Sequence, residues 1–301
     1  MVWDAEQYWL KAIRYTEIAS QIERDEWERP FWLSLSLEFL ARGALTKVHP
    51  VLNADPQDDG ANILYAFGTE IKGQPKSLPI HAVLLRLEKL FPEKFTKLRR
   101  EFCDYFSNLR NQEVHTSELP FEGLSEKKWL ARYYDVCDTL CFIQDRKLAQ
   151  LVGEEEAESA AKLIGTLKSD KLSAVKSKIA AHAKVFGEKT ATDRKKLADE
   201  QATLAGAWVG TAARTTCPAC KSAAKIAGSI ERTSKPIYAD DRLYVKVVVL
   251  ADRLECRACG LTLTDLDELQ FAEVDPHFEF EEETELHEYH EADFYEEYDN
   301  M

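Results

Sequence analysis

The segment Leu109-Arg110-Asn111-Gln112-Glu113-Val114-His115 places a guanidinium, a carboxamide and an imidazole within about one and a half turns of a helix. Breaking a phosphodiester without a metal needs a group that takes the 2′-hydroxyl proton or protonates the leaving oxygen. It also needs a cation to meet the charge gathering on the phosphoryl oxygens. Histidine suits the first role and arginine the second. At about 100° per residue Asn111 and His115 share a face and Arg110 lies on the adjoining stripe, so the spacing predicts that Asn111 orients the imidazole. A second charged pair, Glu38 and Arg42, stands four residues apart on an earlier helical stretch, the spacing of an i,i+4 ion pair.

The other chemistry lies in cysteine. Cys217-Pro218-Ala219-Cys220 and Cys256-Arg257-Ala258-Cys259-Gly260 are two C-x-x-C turns, the form that aims two thiolates at one tetrahedral Zn²⁺, and two such turns complete a four-cysteine site. A closed site of four thiolates has no open coordination position, so the zinc is expected to be structural. The knuckles are separated by 35 residues, more than the roughly 15 to 20 of a compact zinc ribbon, which implies a longer hairpin or an inserted loop. Cys103, Cys137 and Cys141 stand singly in helical patterns and are expected to be ordinary buried residues.

The elements that must hold these groups follow from periodicity. From Trp3 to about Gln150 apolar residues recur at helical spacing, as in Leu33, Leu37, Leu40 and Ala44 or Phe95, Leu98, Phe102 and Phe106. Breaks at Glu28-Arg29-Pro30, around His49-Pro50 to Gly60, at Lys72 to Pro75 and at Leu119 to Gly123 divide it into four to six helices. Residues 151–213 are rich in Ala, Lys and Glu and read as a helical connector. Residues 214–270 carry the knuckles and the clearest strand, Leu243 to Val249, after a turn at Asp240-Asp241. Residues 271–301 form an acidic tail with interspersed Phe, Tyr and His, expected not to pack alone. The fold class so predicted is mainly α: a helical bundle over 1–150, the connector, and a small β zinc-ribbon module.

The formal net charge of −14 argues against nucleic acid until it is located. Of 53 acidic residues, 16 follow residue 257, where no Lys or Arg occurs, so residues 1–257 hold 39 basic side chains against 37 acidic ones. The folded body is free to present a basic groove. The run Lys94, Lys97, Arg99 and Arg100 is either a solvated helix face or part of such a track. No run of about 18 apolar residues occurs and the N-terminus lacks a signal-peptide layout, so no membrane partner and a cytoplasmic location are expected.

The Arg110-Asn111-x-x-x-His115 segment, placed at the end of a long helix and followed by a loop and another amphipathic helix, resembles the nuclease signature of the HEPN superfamily. Glu38-x-x-x-Arg42 resembles the Glu-x-x-x-Lys pair that such domains carry on an earlier helix, with Arg in place of Lys. The resemblance implies a metal-independent endoribonuclease that acts by 2′-hydroxyl attack and leaves cyclic phosphate ends, with Arg110, Asn111, His115, Glu38 and Arg42 at the site. It further implies an RNA substrate, a homodimer with the two motifs facing each other, and a toxin or phage-defence role with a regulatory or antitoxin partner. The alternative is a non-catalytic HEPN-like dimer that serves as a nucleic-acid- or protein-binding adaptor through its zinc ribbon.

Overall fold

The computed structural model describes residues 3–57, 59–205, 210–239 and 242–283. The Asp240-Asp241 turn and residues 284–301 of the acidic tail lie outside them. Two compact units divide at Asp170/Lys171.

The first unit is helical: α1 (Ala5–Ser20), α2 (Glu28–Val48), α3 (Ala61–Ala66), α4 (Ile80–Leu90), α5 (Lys97–His115), α6 (Leu130–Ile143), α7 (Ala149–Val152) and the start of α8 (Glu154–Gly187). Asp4 caps α1 by accepting from the Gln7 amide at 2.9 Å. Pro30 falls in the first turn of α2, where its missing N–H costs nothing. The helix ends where His49, before Pro50, turns extended. Trp9, Leu37, Leu40, Leu84, Leu87, Phe106 and Trp129 are among the side chains closing the core. The buried hydroxyls of the α1–α2 pair satisfy each other: Thr16 and Ser36 lie 2.8 Å apart, and Ser36 donates to the Ala12 carbonyl at 2.9 Å. Cys103, Cys137 and Cys141 are buried in this core. Burial raises the first two thiols and pushes Cys141 up to about 12, which keeps them protonated and unreactive.

The second unit corrects the expected fold class. Over all the described residues helix makes up 56% and strand 16%, and the strands form a curled antiparallel sheet in the C-terminal region, so the chain joins a helical unit to an α+β unit and is not mainly α. The sheet comprises β1 (Ala212–Thr216), β2 (Ala223–Thr233), β3 (Ile237–Ala239), β4 (Arg242–Glu255), β5 (Thr262–Leu263) and β6 (His277–Glu283), the last two flanking α10 (Leu266–Phe271). Strand β4 is its spine. It pairs β2 and then β3 along one edge, and β5 and β6 along the other, Tyr244 facing both Ile237 and Glu283. The long gap between the knuckles is this β2–β4 hairpin. Strand β6 arises inside the segment assigned to the tail because Phe278 and Phe280 alternate with exposed His277, Glu279 and Glu281, a period-two pattern suited to a sheet edge. The unit boundary falls within α8, so part of the stretch taken as a connector belongs here. Ile179 and Phe186 of α8 and Leu197 of α9 (Ala191–Ala205) pack on the core of Ile226, Leu254, Leu261 and Leu269.

Gly228 sits at a bulge in the β2–β4 ladder, where a Cβ would lie 1.9 Å from the Leu250 carbonyl oxygen and 2.5 Å from the Ala251 Cα. Backbone cannot yield as a side-chain tip can. Gly228→Ala should therefore cost the second unit about 3 kcal/mol, read as a lower urea midpoint; an unchanged midpoint would contradict this account of the bulge.

Candidate functional site

Helices α2 and α5 bring Glu38, Arg42 and Arg110 together. The Glu38 carboxylate accepts from Arg42 through Oε1, at 2.9 Å from Nε and 2.8 Å from Nη2, and meets Arg110 Nη2 at 2.8 Å through Oε2. One carboxylate thus serves two guanidiniums, which leaves the cluster with net positive charge. Arg42 is held further by the Leu78 carbonyl, which accepts from its Nη1 at 3.0 Å. Side-chain exposure is 9% for Arg42, 13% for Glu38 and 17% for Arg110, so the ions are poorly screened and their mutual pairing is what makes their burial tolerable. Arg110 Nε is buried without a hydrogen-bond partner. Tyr8 lies against this cluster: burial raises its phenol, Arg42 pulls it down and Glu38 pushes it up.

Asn111 and His115 stand apart from that group. Both are exposed, and neither makes a side-chain hydrogen bond or ion pair among the described residues. The expected contact by which Asn111 would orient the imidazole is not formed. His115 lies five positions after Arg110, a rotation of about 140° around the helix, so the guanidinium turns toward α2 while the imidazole faces solvent at the last residue of α5.

The basic run is largely consumed by ion pairs. Arg99 grips Asp135 with two bonds of 2.8 and 3.0 Å, and Arg100 binds both Glu88 and, at 2.8 Å, Asp104. Asp104 also meets His81 Nδ1 at 2.8 Å. This His81–Asp104 pair joins α4 to α5 across 23 residues and has no local signature, which is why sequence reasoning passes over it.

In the second unit the four cysteines converge. Their sulfurs all lie within 4.8 Å of one another and could hold a metal ion. Cys217 and Cys259 sulfurs are 3.6 Å apart, Cys220 and Cys256 sulfurs 3.5 Å, close to the roughly 3.8 Å edge of a tetrahedron with 2.3 Å metal–sulfur bonds. The two knuckles repeat one backbone pattern. Cys217 N–H donates to the Ser222 carbonyl at 2.9 Å and Lys221 N–H to the Cys217 carbonyl at 3.0 Å; Cys256 N–H donates to Leu261 at 2.8 Å and Gly260 N–H to Cys256 at 2.7 Å. His182 Nδ1 lies 2.8 Å from the Cys259 carbonyl and supports the second knuckle from α8. Thiols this close cannot all ionise unaided. Interaction with Cys217, then with Cys256 and Cys259, holds Cys220 well below the usual thiol range, while Cys217, Cys220 and Cys256 push Cys259 above it.

Both knuckles need a left-handed residue at the same place, and it is Lys221 (φ 62°) in one and Gly260 (φ 78°) in the other. A non-glycine residue pays about 1 to 2 kcal/mol there. Lys221→Gly should therefore stabilise the second unit by about 1 kcal/mol with metal content unchanged; a lower urea midpoint would refute this.

No protein-family model matches the chain, and no curated protein and no solved structure matches it. Among the described residues no helix is long and apolar enough to cross a membrane.

Proposed function

We propose that the first unit is a HEPN-type, metal-independent endoribonuclease and that the four-cysteine site of the second unit holds a structural zinc. The observation that carries the first part is the Glu38 bridge: the residues singled out by motif on two separate helices share one ion cluster. Glu38 holds Arg110 by charge at 2.8 Å with no hydrogen bond to its Oε2, so the N–H donors of the guanidinium remain for a phosphoryl oxygen. His115 is the general acid or base, exposed where a strand can approach. Because Arg110 and His115 diverge around α5, a second copy facing the first across a two-fold axis supplies the complementary group, which is the homodimer the resemblance implies. The biological setting it implies is that of a toxin or phage-defence effector with a regulatory partner.

Zinc is favoured for the cysteine site by four soft thiolates at tetrahedral spacing. Iron suits the same ligands, and elemental analysis distinguishes them.

The test of the ribonuclease reading is the chemistry of the ends. Total RNA incubated with purified protein should yield 2′,3′-cyclic phosphate or 3′-phosphate ends, because the neighbouring 2′-hydroxyl attacks. Ends bearing 3′-hydroxyl, or no cleavage by the dimer, would overturn it. The adaptor reading is favoured by one observation, that Arg110 is largely buried in its pairing with Glu38 and so ties α2 to α5. On that reading the protein binds its partner but leaves RNA intact.

A further inference from the structure

We propose that the outer face of the β1–β2–β4 sheet, with the first cysteine knuckle at its end, binds the phosphate backbone of nucleic acid without regard to sequence, through Arg214, Lys221, Lys225 and Arg253. This gives the second unit a function of its own and does not depend on the ribonuclease reading of the first.

The face follows from strand alternation. Ala224 and Ile226 of β2, Leu254 of β4 and Leu263 of β5 point into the core, against Ile179, Phe186 and Leu197 of α8 and α9. The residues between them therefore point outward. The register sets Arg214 beside Lys225, Lys225 beside Glu255, and Ala227 beside Arg253. The cations thus stand in rows two residues apart along the strands, about 7 Å, and Lys221 extends the series at the knuckle turn. The remainder of the face is small or hydroxylic: Ala212, Thr216, Ala223, Ala227 and, opposite Glu255, Thr262.

Charge is segregated here. No Asp or Glu occurs from Gln201 to Ile230, a stretch that holds Arg214, Lys221 and Lys225. Among the described residues none of these three is in an ion pair, and the one carboxylate in these rows, Glu255, lies 3.8 Å from Arg253. Arg214, Lys221 and Arg253 are exposed and Lys225 is half-buried. Lys221 adds an independent observation. It is left-handed at φ 62°, where the equivalent position of the other knuckle has Gly260 at φ 78°. Its side chain makes no hydrogen bond or ion pair among the described residues, so the fold gains nothing for the strain; strain of this kind persists where the side chain serves function. The face offers no large apolar anchor of the sort that carries protein–protein affinity, and no ring on which unpaired bases could stack. What it offers is charge and hydroxyls, the means by which phosphates are held. A duplex presents one negative charge per about 1.7 Å, about twice the density of an extended, wholly acidic peptide at one per about 3.4 Å.

The experiment uses the full chain and a fluorescein-labelled DNA duplex of about 16 base pairs, longer than the face at about 3.4 Å per pair. Its missing 2′-hydroxyls prevent cleavage. Anisotropy titrations from about 50 to 200 mM salt should give the same affinity for duplexes of unrelated sequence. Arg214→Ser with Lys225→Ser should lower the salt slope by about 1.8, the value for two phosphate contacts, and weaken binding about 60-fold at about 0.1 M salt. Lys221→Gly should weaken binding about 8-fold while raising the urea midpoint, and Lys221→Arg should keep the affinity. A lysine with only a structural role could not weaken binding when its loss stabilises the fold. The control pair Arg194→Ser with Lys195→Ser, on α9 behind the sheet's other face, should change neither slope nor affinity. Polyglutamate should displace the duplex at least about 10-fold less well than unlabelled duplex does. Should the Arg214/Lys225 variant lose its metal or its sheet signal, Lys221→Gly decides alone. Absence of duplex binding, or binding indifferent to Lys221→Gly, would overturn the proposal. Displacement by polyglutamate as readily as by duplex would overturn it too, and would mark the face as a dock for an acidic protein.

Discussion

Replacing His115 with alanine should lower RNA cleavage by about 10²- to 10⁴-fold, the usual contribution of a positioned general acid or base, while leaving the thermal midpoint where it was. The second half follows from the geometry: the imidazole is exposed at the end of α5 and makes no side-chain bond among the described residues. Arg110→Ala should lower cleavage by about 10²- to 10³-fold, as loss of a donor to a developing charge does, but it carries a structural cost. It removes one of the two partners of Glu38. Arg42 still pairs with that carboxylate, so the cost should stay below the roughly 3 to 5 kcal/mol of an orphaned buried charge. Glu38→Gln separates the roles, since it frees Arg110 without deleting it. If Arg110 acts on phosphate and Glu38 only orients it, Glu38→Gln should lose less activity than Arg110→Ala despite a larger loss of stability, since it leaves two buried guanidiniums without their carboxylate. Cleavage at wild-type rate in His115→Ala, or activity tracking stability alone across the three variants, would end the catalytic assignment.

How far this site could be read from sequence depends on what each residue interacts with. The i,i+4 relation of Glu38 and Arg42 is local, and the ion pair it predicts is present. The bridge from Glu38 to Arg110 is not local, and only the packing of α2 on α5 creates it. The helical spacing of Asn111 and His115 was equally legible, yet spacing sets a shared face, not a bond, and at a solvent-facing helix end nothing holds the carboxamide on the imidazole. The basic run misleads for a related reason: Arg99 and Arg100 look free in sequence because Asp135 and Glu88 lie on other helices. In the second unit the knuckles were legible because a C-x-x-C turn is a local device, whereas the extent of the sheet was not. Strand β6 lies in a stretch whose acidity masks the alternation of Phe278 and Phe280, and β4 supplies the edge that makes the alternation useful. Helices α8 and α9 likewise read as a connector because their few apolar residues, among them Ile179, Phe186 and Leu197, are spread thinly along charged sequence.

On the proposed reading that the four cysteines hold an ion, its removal should unfold the second unit and spare the first. Cys217 and Cys256 are not at the surface; they are buried within the core that includes Leu254, Leu261 and Leu263, so the candidate site and the core are one structure. Four thiols within 4.8 Å of one another cannot all carry charge without a cation between them, and without it the cluster is held only by weak S–H contacts. A structural zinc in such a site supplies apparent binding free energy of about 10 to 16 kcal/mol near neutral pH, as large as the whole stability of an ordinary domain at about 5 to 15 kcal/mol. Chelation should accordingly abolish the β contribution to circular dichroism and release the metal in proportion, while the helical signal of the first unit, whose core contains none of the four cysteines, persists. Acid should have the same effect, because each sulfur must be a thiolate to bind and protons compete for it. Metal content should be one ion per chain in the intact protein, should collapse in Cys217→Ser, and should be unaltered in Cys103→Ser, whose residue lies in the first unit's core. A sheet signal that survives chelation, or a metal content indifferent to Cys217→Ser, would show that the knuckles fold without an ion and that the convergence of the four sulfurs has another cause.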